Sequence, residues 1–181
     1  MIQTLLARLR LAISSATPLL SLLFLTFLTA MPISLPTSLQ FTPALTMMGL
    51  VFWSINNPEL LPIWGIFLVG LLRDGLDGGV IGIYPLILIA TYEIILVQRR
   101  VLLARSFISA WVAFCLCFLV ASLAEWVVFI MADRAISFYL LAKHYVLSVA
   151  LFPFVTYVLS KMLRMIVTPP TITIELGGRT R

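Results

Sequence analysis

Phe107–Met131 reads FISAWVAFCLCFLVASLAEWVVFIM, twenty-five residues with a single charged side chain, Glu125. Crossing the hydrocarbon core of a bilayer takes about 20 helical residues. The stretch is long enough for that, and a helix this uniformly apolar has no polar face to give to water. Apolar runs recur on both sides of it, at about 11–31, 42–55, 60–73, 79–97 and 144–163. Over 181 residues the chain is 62% hydrophobic and 10% charged. A soluble domain carries about 25% charge, so twelve basic and seven acidic side chains are too few to clothe a water-soluble globule. The reading is an all-α integral membrane protein, a six-helix transmembrane bundle in one domain over 1–167. Its spans are expected at about 11–31, 39–56, 60–76, 79–97, 107–131 and 143–163, with a flexible cytoplasmic tail over 168–181.

The second and third runs are short. Each has a proline near its start, Pro43 and Pro62, and Asn56, Asn57, Pro58 and Glu59 separate them. They form either two short crossings whose ends the bundle shields or one re-entrant hairpin. Either way the crossing number is even. Nine basic residues then lie on one side, namely Arg8, Arg10, Arg99, Arg100, Arg105, Lys161, Arg164, Arg179 and Arg181. Only Arg73, Arg134 and Lys143 lie on the other. Lys and Arg beside spans favour the cytoplasm, which puts both chain ends inside and makes Arg99, Arg100 and Arg105 a basic cytoplasmic surface. The first run, preceded by Arg8 and Arg10, imitates a signal peptide. It is long for one and lacks a clear cleavage site, so it reads as an uncleaved span.

The net charge of +5 does not point to nucleic acid, because the basic residues gather at the ends of apolar runs. Cys115 and Cys117 point roughly 200° apart on a helix and cannot pair or share a metal. With His144 as the one histidine, no metal site and no cofactor are expected. Nothing in the chain pairs a nucleophile with a base, and the reading is not an enzyme. Asp74, Asp77 and Gly78 imitate the opening of the CDP-alcohol phosphotransferase motif. The second aspartate pair that such a metal site needs is absent.

The dense polar cluster runs from Gly70 through Arg73, Asp74, Gly75, Asp77, Gly78 and Gly79 to Gly82. Small residues four apart let helix backbones approach closely. Asp74 is placed to accept hydrogen bonds from the N-terminus of the next helix. Two carboxylates lie inside apolar runs, where a charge costs about 2.5–3.5 kcal/mol. Glu93 is expected to snorkel toward Arg99 and Arg100, and Glu125 to face the bundle interior. The tryptophans and tyrosines fall mostly near run ends and read as aromatic belts. Pro85 and Pro153 are expected to kink their helices.

The spacing Gly70-x-x-x-Asp74-x-x-x-Gly78-x-x-x-Gly82, followed by a long span and a basic inner loop, resembles the MreD family. Ala124, Glu125, Trp126 and Pro153 fit the same pattern, and the likeness covers roughly 42–165. The resemblance implies a non-catalytic scaffold of the bacterial rod-shape machinery in the cytoplasmic (inner) membrane. It implies MreC as partner, with MreB, the RodA glycosyltransferase and its transpeptidase partner nearby, and membrane lipid around the bundle. On this reading an intramembrane face binds the single span of MreC. The Arg73–Gly82 turn binds periplasmic protein or lipid-linked sugar. The family is also similar in fold to the S components of energy-coupling-factor transporters, which supplies an alternative: substrate capture for a small-molecule transporter. The polar groups in the spans are few for such a site.

Overall fold

The computed structural model describes residues 17–30, 43–77, 81–104, 107–131 and 138–167. They form α1 (Thr17–Ala30), α2 (Leu45–Asn56), α3 (Ile63–Asp77), α4 (Ile83–Ala104), α5 (Phe107–Met131) and α6 (Phe138–Val167). A 3-10 turn at Pro58–Leu60 joins α2 to α3. Arg8, Arg10, Gly78, Arg105 and Arg134 lie outside the described residues, as do the expected start of the first span and the tail 168–181. Two helices are long and apolar enough to cross a membrane by length and composition, over Ile108–Val128 and Phe138–Arg164. The other apolar runs give shorter helices or, in α4, one that carries Glu93, Arg99 and Arg100.

The shortest of these helices, α2, sits at the centre. Every residue of α2 from Leu45 to Ile55 is buried. A helix apolar on all sides has no face to give to water and belongs inside. α1 lies close against it, and a Cβ on Gly49 would come 2.6 Å from Leu25 Cδ1. A Cβ on Gly65 would meet Leu19 Cδ2 at 2.5 Å, which draws α3 onto α1 in the same way. Between α1 and α2 the Trp53 indole donates to Ser21 Oγ at 2.8 Å, and the hydroxyls of Thr26 and Thr46 lie 3.1 Å apart.

A twelve-residue helix leaves backbone groups unsatisfied at both ends, which lipid does not tolerate. Other helices supply the partners. At the start, the Ala44 N–H donates to Ser148 Oγ of α6 at 3.1 Å. At the end, Arg99 of α4 donates from Nε to Ile55 O at 3.0 Å and from Nη2 to Asn56 O at 3.2 Å. Tyr92 of α4 donates to Pro58 O at 3.2 Å. The α2–α3 turn therefore lies beside the Arg99 end of α4, and α3 returns along α4 to the opposite end. Aromatic stacking joins α5 to α6, with Phe114 4.3 Å from Phe152 and Phe118 5.6 Å from Tyr145 between ring centroids. The bundle turns large apolar side chains outward on every helix but α2, among them Phe24, Trp64, Leu86, Val120 and Phe154.

Three expectations change. Trp64, Trp111, Tyr139 and Tyr157 are exposed, as an aromatic belt requires, but Trp53, Tyr84 and Tyr92 are core residues. Pro85 lies in the first turn of α4, where the backbone N–H has no intrahelical acceptor, so it interrupts no hydrogen bond and need not kink the helix. Pro153 does lie inside α6. Glu93 is exposed and, among the described residues, forms no ion pair with Arg99 or Arg100. Arg99 is held by the carbonyls that end α2 instead.

Candidate functional site

The polar cluster is a joint between α3 and α4. Arg73, Asp74 and Asp77 occupy the last turns of α3, and Gly82 and Tyr84 open α4. Arg73 Nε donates to Asp77 Oδ2 at 2.8 Å, one helical turn on. Its guanidinium carbon stands 4.7 Å from the centroid of the Tyr84 ring, a cation–π distance. The Arg73 side chain is only 8% exposed, against 48% for Asp77. Its Nη1 is buried without a hydrogen-bond partner among the described residues. A buried guanidinium needs compensating charge, and three carboxylates act on it. Asp77 is bonded to it, and the charges of Glu125 on α5 and, more weakly, of Asp74 also act on it.

Asp74 holds the start of α4 from another helix. Its Oδ2 accepts the N–H of Gly82 at 2.7 Å and that of Tyr84 at 3.3 Å. Helix N-termini present unsatisfied donors and a partial positive charge, and a carboxylate answers both. Gly82 makes the approach possible, since its φ of 102° lies where L side chains are strained. Gly70 serves a different purpose. A Cβ there would stand 2.5 Å from Pro85 Cα and 2.7 Å from Pro85 N, so the backbones of α3 and α4 touch at this point. The four-residue repeat is thus not one packing stripe: Gly70 packs, Asp74 caps and Gly82 turns. Gly75 has open space around it.

Asp74→Ala is expected to destabilise the protein by about 0.5–2 kcal/mol, the usual effect of losing a helix cap. Asp74→Asn keeps an acceptor oxygen and should retain most of the stability. Thermal unfolding of both variants in one detergent checks the ordering.

The structure brings together Gly70, Arg73, Asp74, Asp77 and Gly82, and the charge of Glu125 on α5 is felt at Arg73 without a direct contact among the described residues. Glu125 is half-buried and shares this end of the bundle. The basic surface divides. Arg99 is half-buried on the ends of α2, Arg100 is exposed, and Arg105 lies outside the described residues. Sequence reasoning missed Tyr84 and Pro85 as parts of the joint. Their signal was their place at the start of the fourth run, opposite Asp74 and Gly70. Among the described residues no group of three His, Cys, Asp or Glu side chains is placed to hold a metal ion.

An all-helical bundle clad in apolar side chains, with a polar joint between α3 and α4, is compatible with a membrane helical bundle. The family model for the rod shape-determining protein MreD matches residues 11–166. The chain belongs to the MreD family, a family of membrane proteins with a role in rod-shape determination. It is a structural family rather than a known enzyme family. Comparison with curated proteins and with solved structures gave no match.

Proposed function

We propose that this protein is a non-catalytic scaffold of the rod-shape complex. It crosses the cytoplasmic membrane six times with both ends inside, binds MreC and helps organise peptidoglycan synthesis beside MreB, RodA and its transpeptidase partner. The observation that carries the proposal is how the polar groups are spent. Ser148 and Arg99 close the ends of the central helix, Ser21 holds Trp53, and Asp74 holds α4. Ser54 and Ser160 bond the carbonyls one turn before them. Side chains engaged in this way stabilise a frame, and the apolar exterior is left to lipid and to the spans of other proteins. The six-helix arrangement expected from the likeness to S components belongs to the same proposal.

Six crossings are supported by the two turns around α3. The α2–α3 turn lies near Arg99 and the α3–α4 turn near Ile83, about 24 Å apart along α4. That is most of the roughly 30 Å hydrocarbon thickness. With both chain ends inside, Arg73, Asp74, Asp77 and Glu125 stand at the outer end. There the Arg73–Gly82 turn is available to periplasmic protein or to lipid-linked sugar. Arg100 stands at the inner end, where anionic lipid or an acidic partner surface would suit it.

The test is a pulldown of tagged full-length protein from its native membrane in mild detergent, with mass spectrometry of proteins and small molecules. Recovery of MreC with wall-synthesis enzymes is the expected result. Paired ATPases, or one stoichiometric metabolite, would overturn the scaffold in favour of a transporter subunit.

A further inference from the structure

The outward side of α4 carries Leu86, Ala90, Glu93, Val97 and Arg100, all exposed. The spacing is 4, 3, 4 and 3 residues, which keeps the five side chains within about 80° of one another around the helix. That is the heptad pattern by which one helix seats on another. Leu86 is 69% exposed and Val97 83%, so none of the described helices covers the seam. Ala90 leaves a shallow place beside the carboxylate of Glu93 where a second backbone can come close.

Glu93 says what kind of helix fits. It lies about 15 Å along α4 from Ile83 and about 9 Å from Arg99, too far for a glutamate to reach either end. Arg99 is engaged by Ile55 and Asn56, and Arg100 lies about 10 Å further along the same face. A carboxylate at this depth facing lipid is unfavourable until a partner group meets it. A second copy paired symmetrically through this face does not supply that group. Two copies related by an axis normal to the membrane would set Glu93 against Glu93.

We propose that this face of α4 is the docking seam for one membrane-spanning helix of a different chain. A basic side chain (Lys, Arg or His) at mid-depth on that helix meets Glu93, and its apolar residues pack over Leu86, Ala90 and Val97. The proposal rests on the scaffold reading and assigns it a surface.

The test places a photo-crosslinking residue at Ala90 or at Val97 in the full chain, in native membranes. Leu119 on α5 and Val158 on α6, both exposed, serve as comparison sites. Irradiation should join the seam positions to a single membrane protein, at a span that contains a basic residue within one turn of the crosslink. Glu93→Lys should cut the yield at least ten-fold while leaving the melting temperature unchanged. Replacing the partner's basic residue by Glu should restore it in the Glu93→Lys background. Crosslinks of the chain to itself, or a yield indifferent to Glu93→Lys, would overturn the seam. Crosslinks to a membrane protein from Leu119 or Val158 alone would remove the seam and leave the scaffold standing. No crosslink from any site, with an empty pulldown, would remove both.

Discussion

Gly70→Ala lowers the melting temperature of the purified protein by several degrees, and Gly70→Leu prevents recovery of a folded bundle. The cause is local and cannot relax through side chains. The added Cβ meets Pro85 Cα at 2.5 Å, Pro85 N at 2.7 Å and Pro85 Cγ at 3.0 Å, and two of these are backbone atoms in the first turn of α4. Overpacking a core typically costs about 1–3 kcal/mol when side chains can move aside. Here α3 or α4 must shift as a unit. That shift also pulls Gly82 and Tyr84 away from Asp74, so the cap weakens along with the packing. Gly75 is the control. It lies five residues on in the same helix with nothing within 4 Å of an added Cβ. Gly75→Ala should be neutral, or stabilising by up to about 1 kcal/mol through helix propensity. Heating samples in steps before size exclusion separates the three variants. Equal loss at both glycines would mean that close approach to Pro85 is not what Gly70 provides.

The second large effect is at Arg73. Arg73→Leu removes the cation that pairs with Asp77 and stands over Tyr84, and should cost about 1.5–3 kcal/mol, the scale for a hydrogen bond to a charged group. The loss comes chiefly from the contacts with Asp77 and Tyr84, with smaller contributions from the charges of Asp74 and Glu125. Asp77 is half exposed and can turn to water when Arg73 is lost, whereas Asp77→Ala leaves the buried guanidinium without that ion pair and should cost more than the roughly 0–1 kcal/mol of a surface pair. Pairing Arg73→Leu with Glu125→Leu removes cation and anion together. The double variant should then be more stable than the sum of the singles implies, by about 0.5–3 kcal/mol. Strict additivity would show that α5 does not contribute to the joint.

Much of the bundle was legible because apolar length is a local property. α5 coincides with the fifth run, since nothing but Glu125 interrupts it. α4 extends to Ala104, past the expected end near Val97, because Gln98, Arg99 and Arg100 form helix as readily as apolar residues do. Asp74 was readable as the cap of the next helix, since acceptor and donors lie within ten residues. Arg99 was not, because its acceptors are 43 and 44 residues away and its charge alone looks like an inner-surface marker. Trp53 misled for a related reason. Position near a run end suggests an interface only if the helix reaches the surface, and α2 is enclosed. Gly49 and Gly65 carried a signal that went unread: small residues in apolar runs mark close helix approach.

The architecture, and with it the side on which the Arg73 joint and the exposed Arg100 meet their partners, is tested most directly by thiol labelling. In a chain with Cys115→Ala and Cys117→Ala, single cysteines at Glu59 and at Ile81 mark the α2–α3 and α3–α4 turns. Both positions are exposed. A membrane-impermeant maleimide applied to spheroplasts should label Ile81→Cys at once, and Glu59→Cys only after permeabilisation. Labelling of Glu59→Cys from outside, or its resistance to the reagent even in permeabilised cells, would contradict six crossings with the joint on the outer face.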